Sequence, residues 1–332
     1  MSVTPIVVVR GTGSIGSRHL AVFRDMLKLN PIAVPVRSER IAGLTAAGFQ
    51  ANTTLDTHRD APCACVVATD TDRHLQDAEE ALRRGYSLLI EKPVSHSTEG
   101  LRHLKDLAGT VRLPVFVGCT LRFHKGLRIF RTLLPRIGRV HSVRIECQSY
   151  LPDWRPGTDY RHSYSARKNT GGVLLDLIHE IDYAIWIFGR PEKVFAKVQN
   201  TGKLDIEAED TADLLWTSPD RAAISIRLDY ITRRTRRRML AVGEYGTLEW
   251  DAIGKNVRLA PHDCDEEVVG IEQVRDDLYR DQAEAFLRAV MGGAPGDLAT
   301  FEEGADAVAL CDAARCSSQS GKEETIRDWR NQ

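Results

Sequence analysis

The sequence predicts an α/β protein of two domains, a doubly wound parallel sheet followed by a domain of longer, mainly antiparallel strands. Its 332 residues are 42% apolar and 27% charged, which is typical of a globular chain long enough for about two domains. Short apolar runs alternate with helical patterns from residue 6 to residue 118. After residue 122, segments with a period of two residues predominate. We place the domains at residues 1–121 and 122–332.

The predicted strands of the first domain are short apolar runs bounded by polar or turn residues. They lie at residues 6–9, 32–36, 65–68, 88–90 and 115–117. Apolar residues recur every three to four positions between the first two strands and again in residues 75–82, which indicates helices lying on a sheet. In the second domain, alternation predicts strands at residues 142–148, 222–230 and 247–250.

Charge and hydropathy exclude several classes of partner. Lys and Arg number 45 against 46 Asp and Glu, so no overall field favours nucleic acid or an anionic membrane. The apolar runs are far shorter than the roughly 18 residues of a membrane span, and no secretory signal is visible, so we expect a cytoplasmic protein. The only concentrated basic run, residues 233–238, would place alternate arginines on opposite faces of a strand, and its role stays open.

The cysteines give no sign of a disulfide framework or a metal site. There are seven, an odd number, scattered and mostly in apolar surroundings. Cys63 and Cys65 lack a second Cys or His pair at the spacing of a zinc site. We therefore predict reduced thiols and no metal.

A glycine-rich segment directly after the first strand predicts a dinucleotide site. Its sequence is Gly11-Thr12-Gly13-Ser14-Ile15-Gly16. In a G-x-G-x-x-G turn the first glycine permits the tight turn, the second admits the pyrophosphate, and the third lets the helix pack on the strand. Free N–H groups at the helix start favour the anion. We expect this loop to bind the phosphates of a nicotinamide cofactor.

The end of the second strand bears on which cofactor is used. An Asp or Glu usually stands there to accept hydrogen bonds from the ribose hydroxyls of NAD. Here Arg37 and Ser38 occupy the position, a pair suited to a 2′-phosphate. We therefore favour NADP(H), while the adjacent Glu39 keeps NAD(H) as the alternative. A structural alternative is that Arg37 and Arg40 are only solvated charges at the start of a helix.

Further motifs resemble those of the Gfo/Idh/MocA oxidoreductases, in the order and spacing of that family and over nearly the whole chain. They are Glu91-Lys92-Pro93, residues 68–71 with His74, residues 117–123, residues 171–182, and Gly243 with residues 246–248. The resemblance implies a Rossmann domain, an α/β domain with a large, mostly antiparallel open sheet whose face often joins subunits, and a homodimer or homotetramer. It also implies cofactor contacts from Thr69, Thr71, His74, Glu91 and Lys92.

The same resemblance implies that Lys92 and His179 are catalytic, with Asp176 orienting the histidine. Asp176 precedes His179 by three residues, whereas many members of the family have four. On a helix over residues 174–188, Asp176, His179, Glu180 and Tyr183 would share one arc of roughly 100°. Periodicity alone leaves open whether this polar face lines a cleft or meets solvent.

A loop rich in aromatic, arginine and hydroxyl groups, residues 150–165, is suited to a polyhydroxylated ligand, although it could equally be a structural loop. The predicted substrate contacts are Arg122, Trp154, Tyr160, Arg161 and Tyr164. The expected function is hydride transfer between NADP(H) or NAD(H) and a secondary alcohol or ketone carbon of a sugar, polyol or nucleotide sugar. Two alternatives from the same family remain: an NAD-dependent glycosidase without net redox change, and a non-catalytic regulator that senses a dinucleotide.

Overall fold

A computed structural model describes residues 5–56 and 62–331. The strands are β1 (Ile6–Arg10), β2 (Ile32–Val34), β3 (Gln50–Ala51), β4 (Cys63–Val67), β5 (Ser87–Glu91), β6 (Val115–Gly118), β7 (Val140–Tyr150), β8 (Lys193–Gln199), β9 (Thr211–Thr217), β10 (Ala223–Asp229), β11 (Ile231–Gly243), β12 (Gly246–Asp251), β13 (Asn256–Pro261), β14 (Glu267–Gly270), β15 (Ala299–Thr300) and β16 (Glu324–Thr325). The α-helices are α1 (Ser14–Ala21), α2 (Ile41–Ala46), α3 (His74–Arg83), α4 (Leu101–Val111), α5 (Lys125–Leu133), α6 (Val173–Asp176), α7 (Ile178–Phe188), α8 (Arg275–Val290) and α9 (Phe301–Ser320). Within these ranges, no helix has the length and apolar character needed to span a membrane.

The first compact unit is built on a sheet with the strand order β15-β6-β5-β4-β1-β2-β3. Its strands pair in parallel, except that the short strand β15 runs antiparallel to β6 at the edge. Every residue of β4 and β5 is buried, as expected for strands covered on both faces. The predicted doubly wound parallel sheet is confirmed, although β3 and β15 are too short to leave a hydrophobic pattern.

The first unit also contains a segment from late in the chain. It comprises Met1–Phe123, Val274–Ala305 and Trp329–Gln332. The reason is apolar packing: Ala283 and Phe286 of α8 belong to the same core cluster as Leu20 of α1 and Val66 of β4. This division differs from the domain ranges that the sequence suggests, residues 1–121 for the dinucleotide-binding domain and residues 122–332 for the substrate-binding and oligomerisation domain, and those ranges stay a prediction.

The second unit comprises His124–Gln273 and Asp306–Asp328. Its sheet has the order β14-β13-β12-β11-β7-β10-β9-β8-β16, and only the β7–β10 pair is parallel among the described strands. Alternate residues of β9 and β10 are buried, which accounts for the period of two residues in the sequence. The predicted large, mostly antiparallel sheet is confirmed.

His124 is the N-cap of α5 in the second unit and can titrate. Its Nδ1 accepts a hydrogen bond from the backbone N–H of Gly126 at 3.0 Å, which requires that nitrogen to be unprotonated. Burial, and then the positive charge of Arg237, lower the pKa of His124 to about 4. An unfolded histidine has a pKa of about 6.5. Between these values the unfolded chain binds a proton that the folded chain does not.

We expect stability to fall as the pH drops from 6.5 to 4 because of His124. Allowing for the partly exposed ring, the loss should be about 2 kcal/mol in the free energy of unfolding. Urea denaturation of the wild type and of His124→Asn at pH 7 and pH 4.5 measures it. Asparagine keeps a cap acceptor and does not titrate, so the variant should lose less stability. An identical pH dependence in both proteins would contradict the assignment.

Candidate functional site

The glycine loop of the first unit has the backbone that a dinucleotide site requires. Gly11 has φ of +90°, and a Cβ atom there would lie 2.6 Å from the carbonyl oxygen of Ala68. A Cβ on Gly16 would lie 2.0 Å from the carbonyl oxygen of Gly11. Nothing lies within 4 Å of a Cβ built on Gly13, so the backbone is open there. Gly11 and Gly16 are thus fixed by packing, and Gly13 leaves room for a phosphate.

Two buried hydroxyls at the same edge of the sheet support a ligand there. Thr12 Oγ1 in the glycine loop and Thr69 Oγ1 after β4 are buried and have no hydrogen-bond partner among the described residues. Both follow the carboxyl ends of adjacent parallel strands, β1 and β4. Ligands of open α/β sheets bind at this edge. The glycine loop and these two hydroxyls therefore fit a dinucleotide. Its phosphates would lie at the start of α1, beside Ser14 and Ile15.

The tip after β2 is exposed to solvent. Arg37, Ser38 and Glu39 are all exposed, and Arg37 Nε lies 4.0 Å from Glu39 Oε1. An exposed pair at this distance contributes little to stability, so Arg37 is available to bind a phosphate. The loop after β4 differs, because Thr71 is buried there.

His74 does not offer a free nitrogen to a cofactor in the way we predicted. Its ring is buried, with Nδ1 2.8 Å from the carbonyl oxygen of Pro93 and Nε2 3.1 Å from that of Thr69. Burial lowers the pKa of His74 despite these two carbonyl contacts. The ring therefore connects two loops of the protein, and cofactor contact by His74 stays an untested prediction that this geometry does not favour.

Lys92 lies in a turn whose neighbours are fixed inside the first unit. Glu91 Oε1 accepts a hydrogen bond from His19 Nε2 at 2.7 Å, and both side chains are buried. The backbone N–H of Lys92 donates to Glu91 Oε2 at 3.2 Å, and the Lys92–Pro93 peptide bond is cis. Lys92 is half-buried. Both oxygens of the Glu91 carboxylate thus accept hydrogen bonds from within the first unit.

In the second unit, the predicted helix over residues 174–188 is broken. Leu177, with φ of −97° and ψ of 27°, separates α6 from α7. Glu180 and Tyr183 are fully buried, so the expectation of one polar face with these two residues is wrong. Glu180 Oε1 accepts a hydrogen bond from Arg237 Nε at 2.7 Å, and the Tyr183 ring meets Trp250 edge to face. His179 is only half-buried.

Asp176 is the acceptor at the centre of a buried hydroxyl cluster. Its Oδ2 accepts hydrogen bonds from Ser165 Oγ at 2.6 Å and Tyr230 OH at 3.2 Å, and its Oδ1 accepts one from Tyr164 OH. Burial, and then the charge of Asp176, raise the pKa of both phenols, so they remain donors. The carboxylate therefore attaches the loop before α6 to the end of β10.

The predicted substrate residues of the loop have their polar atoms bound within the second unit. Trp154 Nε1 donates to Ser149 Oγ at 2.9 Å, and Tyr160 OH donates to the Leu204 carbonyl at 2.9 Å. Arg161 makes a two-pronged ion pair with Asp159. The rings of Trp154 and Tyr160 remain partly exposed.

Arg122 is placed differently from the other predicted substrate contacts. It lies in the first unit, is 1% exposed, and pairs with Glu303 Oε2 at 2.9 Å. A buried arginine with a carboxylate partner has a structural explanation. This geometry favours a structural role, and substrate contact by Arg122 stays a prediction.

Comparison with known proteins identifies the class. Residues 6–119 match the family described as an oxidoreductase family with an NAD-binding Rossmann fold. Residues 135–249 match the family described as the GFO/IDH/MocA C-terminal domain. Together these two matches cover most of the chain. The chain belongs to the Gfo/Idh/MocA oxidoreductases.

Several known proteins resemble the chain in sequence or fold. The rhizopine catabolism protein MocA of Rhizobium meliloti is 24% identical over 185 residues, 54% of this chain and 56% of that protein. The chain spans about half the length of the curated relatives it matches. Levoglucosan dehydrogenase, solved with NADH and levoglucosan, has a TM-score of 0.87 at 16% identity and covers 98% of this chain and 100% of its own. An oxidoreductase of Desulfitobacterium hafniense described as NADPH-dependent has a TM-score of 0.85 at 16% identity, covering 97% and 98%. These likenesses establish the fold.

Proposed function

We propose that the chain transfers a hydride between NADP(H) or NAD(H) and a secondary alcohol or ketone carbon of a sugar, polyol or nucleotide sugar. The observation that carries the proposal is the glycine loop, in which Gly11 and Gly16 are fixed by contact and Gly13 is open. The unpartnered hydroxyls of Thr12 and Thr69 at the same edge support it. A bound nicotinamide would supply the hydride acceptor or donor.

We assign proton transfer to Lys92 and His179. In the oxidative direction, His179, or Lys92 with His179 as a relay, takes the proton of the substrate hydroxyl. We also propose that Asp176 orients or charge-stabilises His179. Its three hydroxyl contacts at the same time fix the loop that carries Tyr164 and Ser165.

The substrate class is inferred from the rings of that loop. Since the polar atoms of Trp154, Tyr160 and Tyr164 are bound within the protein, we propose that the exposed parts of these rings stack on the apolar faces of a sugar. Levoglucosan, bound by a protein of the same fold, is a compound of this kind.

The test of this function is a screen of the purified protein with each oxidised cofactor and a panel of sugars, glycosides, polyols and sugar acids. Net accumulation of reduced cofactor is expected with at least one substrate. Cleavage of a glycoside without net reduction would indicate the glycosidase, and cofactor binding without any turnover would indicate the regulator. A folded sample that binds neither NADPH nor NADH would refute the proposal.

We further propose a preference for NADP(H), set by Arg37 and Ser38. Arg37→Ala should weaken NADPH binding about tenfold and change NADH binding by less than about twofold, because only NADPH carries the 2′-phosphate. Quenching of tryptophan fluorescence measures both affinities. Arg102→Ala, which removes an exposed arginine on α4, is the control and should change neither. Tighter binding of NADH by the wild type would assign cofactor selection to Glu39.

We also propose a homo-oligomer of two or four copies. The second unit exposes Phe195 and Leu215 on paired strands of its sheet, which supports self-association through that face. Light scattering of the purified protein reports the number of subunits.

A further inference from the structure

We propose that two buried histidines, His19 and His74, hold the turn of Glu91, Lys92 and Pro93 and thereby position Lys92 for proton transfer. This inference rests on the proposed function, because it gives Lys92 its catalytic use. Both histidines lie in the first unit and act as positioning residues.

The two imidazoles contact opposite ends of the three-residue turn. His19, on the helix that follows the glycine loop, binds the Glu91 carboxylate at 2.7 Å. His74, the first residue of α3, lies 2.8 Å from the carbonyl oxygen of Pro93. Lys92 lies between them, and its backbone N–H donates to Glu91 Oε2. The residues on both sides of Lys92 are therefore attached to different helices.

The surroundings allow little movement of these contacts. The relative exposure of His19 is 0% and that of His74 is 1%. The His19 ring meets Tyr279 edge to face, with ring centroids 5.5 Å apart. A Cβ on Gly118 would lie 3.2 Å from the carboxyl carbon of Glu91, so β6 also packs closely on this side chain. Breaking either contact would leave a polar group buried without its partner.

The position of a proton-transferring group has a large effect on rate. A displacement of about 1 Å can lower a rate about 100-fold even when it originates away from the reacting atoms. Lysine has a long flexible side chain, so its Nζ can be placed reproducibly only from a fixed backbone. His19 and His74 supply that fixed backbone without contacting a reacting atom.

The nitrogen that each histidine uses provides a specific test. His74 contacts the turn through its Nδ1, whereas His19 contacts it through its Nε2. The side-chain nitrogen of asparagine stands near the position of Nδ1, and that of glutamine near the position of Nε2. His74→Asn should therefore preserve the turn and His74→Gln should not. At position 19 the order should be reversed, with His19→Gln preserving the turn and His19→Asn failing to do so.

Hydrogen exchange of the cofactor-free protein measures the turn directly. Amides of residues 88–100 should exchange at least tenfold faster in His74→Gln and His19→Asn than in His74→Asn and His19→Gln. The kcat should fall about 10- to 100-fold in the first two variants only, with the nicotinamide Kd changed by less than about threefold. His103→Asn and His103→Gln, at an exposed histidine of α4, are the controls and should match the wild type.

The outcomes separate this inference from the proposed function. Equal effects of asparagine and glutamine at either position would overturn it, as would unchanged exchange in all four variants. Loss of nicotinamide affinity with kcat retained would assign His74 to cofactor contact instead. If the exchange pattern appears while Lys92→Met retains turnover, the turn is held as described but the catalytic assignment of Lys92 is wrong.

Discussion

Replacing Lys92 by methionine is expected to lower kcat about 100- to 10,000-fold, the range that a positioned acid or base contributes. The affinity for NADPH or NADH should change far less than kcat, because Lys92 is one of several predicted cofactor contacts and the glycine loop and the tip after β2 are untouched. Methionine approximates the length and volume of lysine but carries no exchangeable proton. Steady-state kinetics and fluorescence titration on the same preparation measure the two effects.

Two further variants identify the cause of the loss. Lys92→Arg keeps the positive charge but does not release a proton at ordinary pH, so it should bind substrate and still turn over slowly. Lys105→Met, which removes a lysine of α4 that pairs with Glu302 at the surface, should retain wild-type kcat. Full activity of Lys92→Met would contradict the assignment. Full activity of Lys92→Arg would show that the charge suffices and that His179 moves the proton.

The sequence predicted those features that are encoded locally. The glycine loop is one, since the spacing of Gly11, Gly13 and Gly16 specifies a backbone conformation that the structure contains. The parallel sheet is another, because strands buried on both faces leave uninterrupted apolar runs such as β4 and β5. These signals need only neighbouring residues, so a single sequence is enough to detect them.

Contacts between distant residues could not be predicted in the same way. His19 and Glu91 are 72 positions apart, and neither residue type reveals its partner. The prediction of a polar face on the helix over residues 174–188 was partly wrong for a related reason. Periodicity treats a polar residue as solvent-facing, whereas Glu180 is buried because Arg237, 57 positions away, pairs with it. The membership of α8 in the first unit could not be predicted, because the apolar residues of a helix indicate that it is buried but not which surface it covers.

The Arg233–Arg238 run shows how one pattern can hold two kinds of residue. Alternate side chains of a strand point to opposite faces. On β11, Arg237 reaches the buried Glu180 carboxylate, whereas Arg238 pairs with Glu146 on the more exposed face. Identical residue types in one run do not reveal which arginine is internal. The two neighbours therefore make a matched pair for measuring what the internal contact contributes.

We expect Arg237→Met to lower the free energy of unfolding of the second unit by about 3–5 kcal/mol. The variant leaves the Glu180 carboxylate, which is 0% exposed, without its cation. Arg238→Met should lower it by less, about 1–2 kcal/mol, because the side chains of Arg238 and Glu146 are 41% and 14% exposed and solvent partly screens the pair. Urea denaturation followed by tryptophan fluorescence reports the difference, since Trp250 lies against Tyr183 one turn beyond Glu180. The two compact units can unfold separately, so the comparison uses the transition of the second unit, which contains four of the five tryptophans.

A double variant decides whether charge or packing is responsible. If the loss comes from the uncompensated carboxylate, Arg237→Met combined with Glu180→Met should recover most of it, because two apolar side chains of similar volume replace the ion pair. If the loss comes from packing, the double variant should be no more stable than Arg237→Met alone. In the first case the ion pair contributes little net stability, and we expect its effect to be on the position of the first turn of α7, which contains both Glu180 and His179. Loss of turnover in a stable double variant would then identify Glu180 and Arg237 as positioning residues for His179.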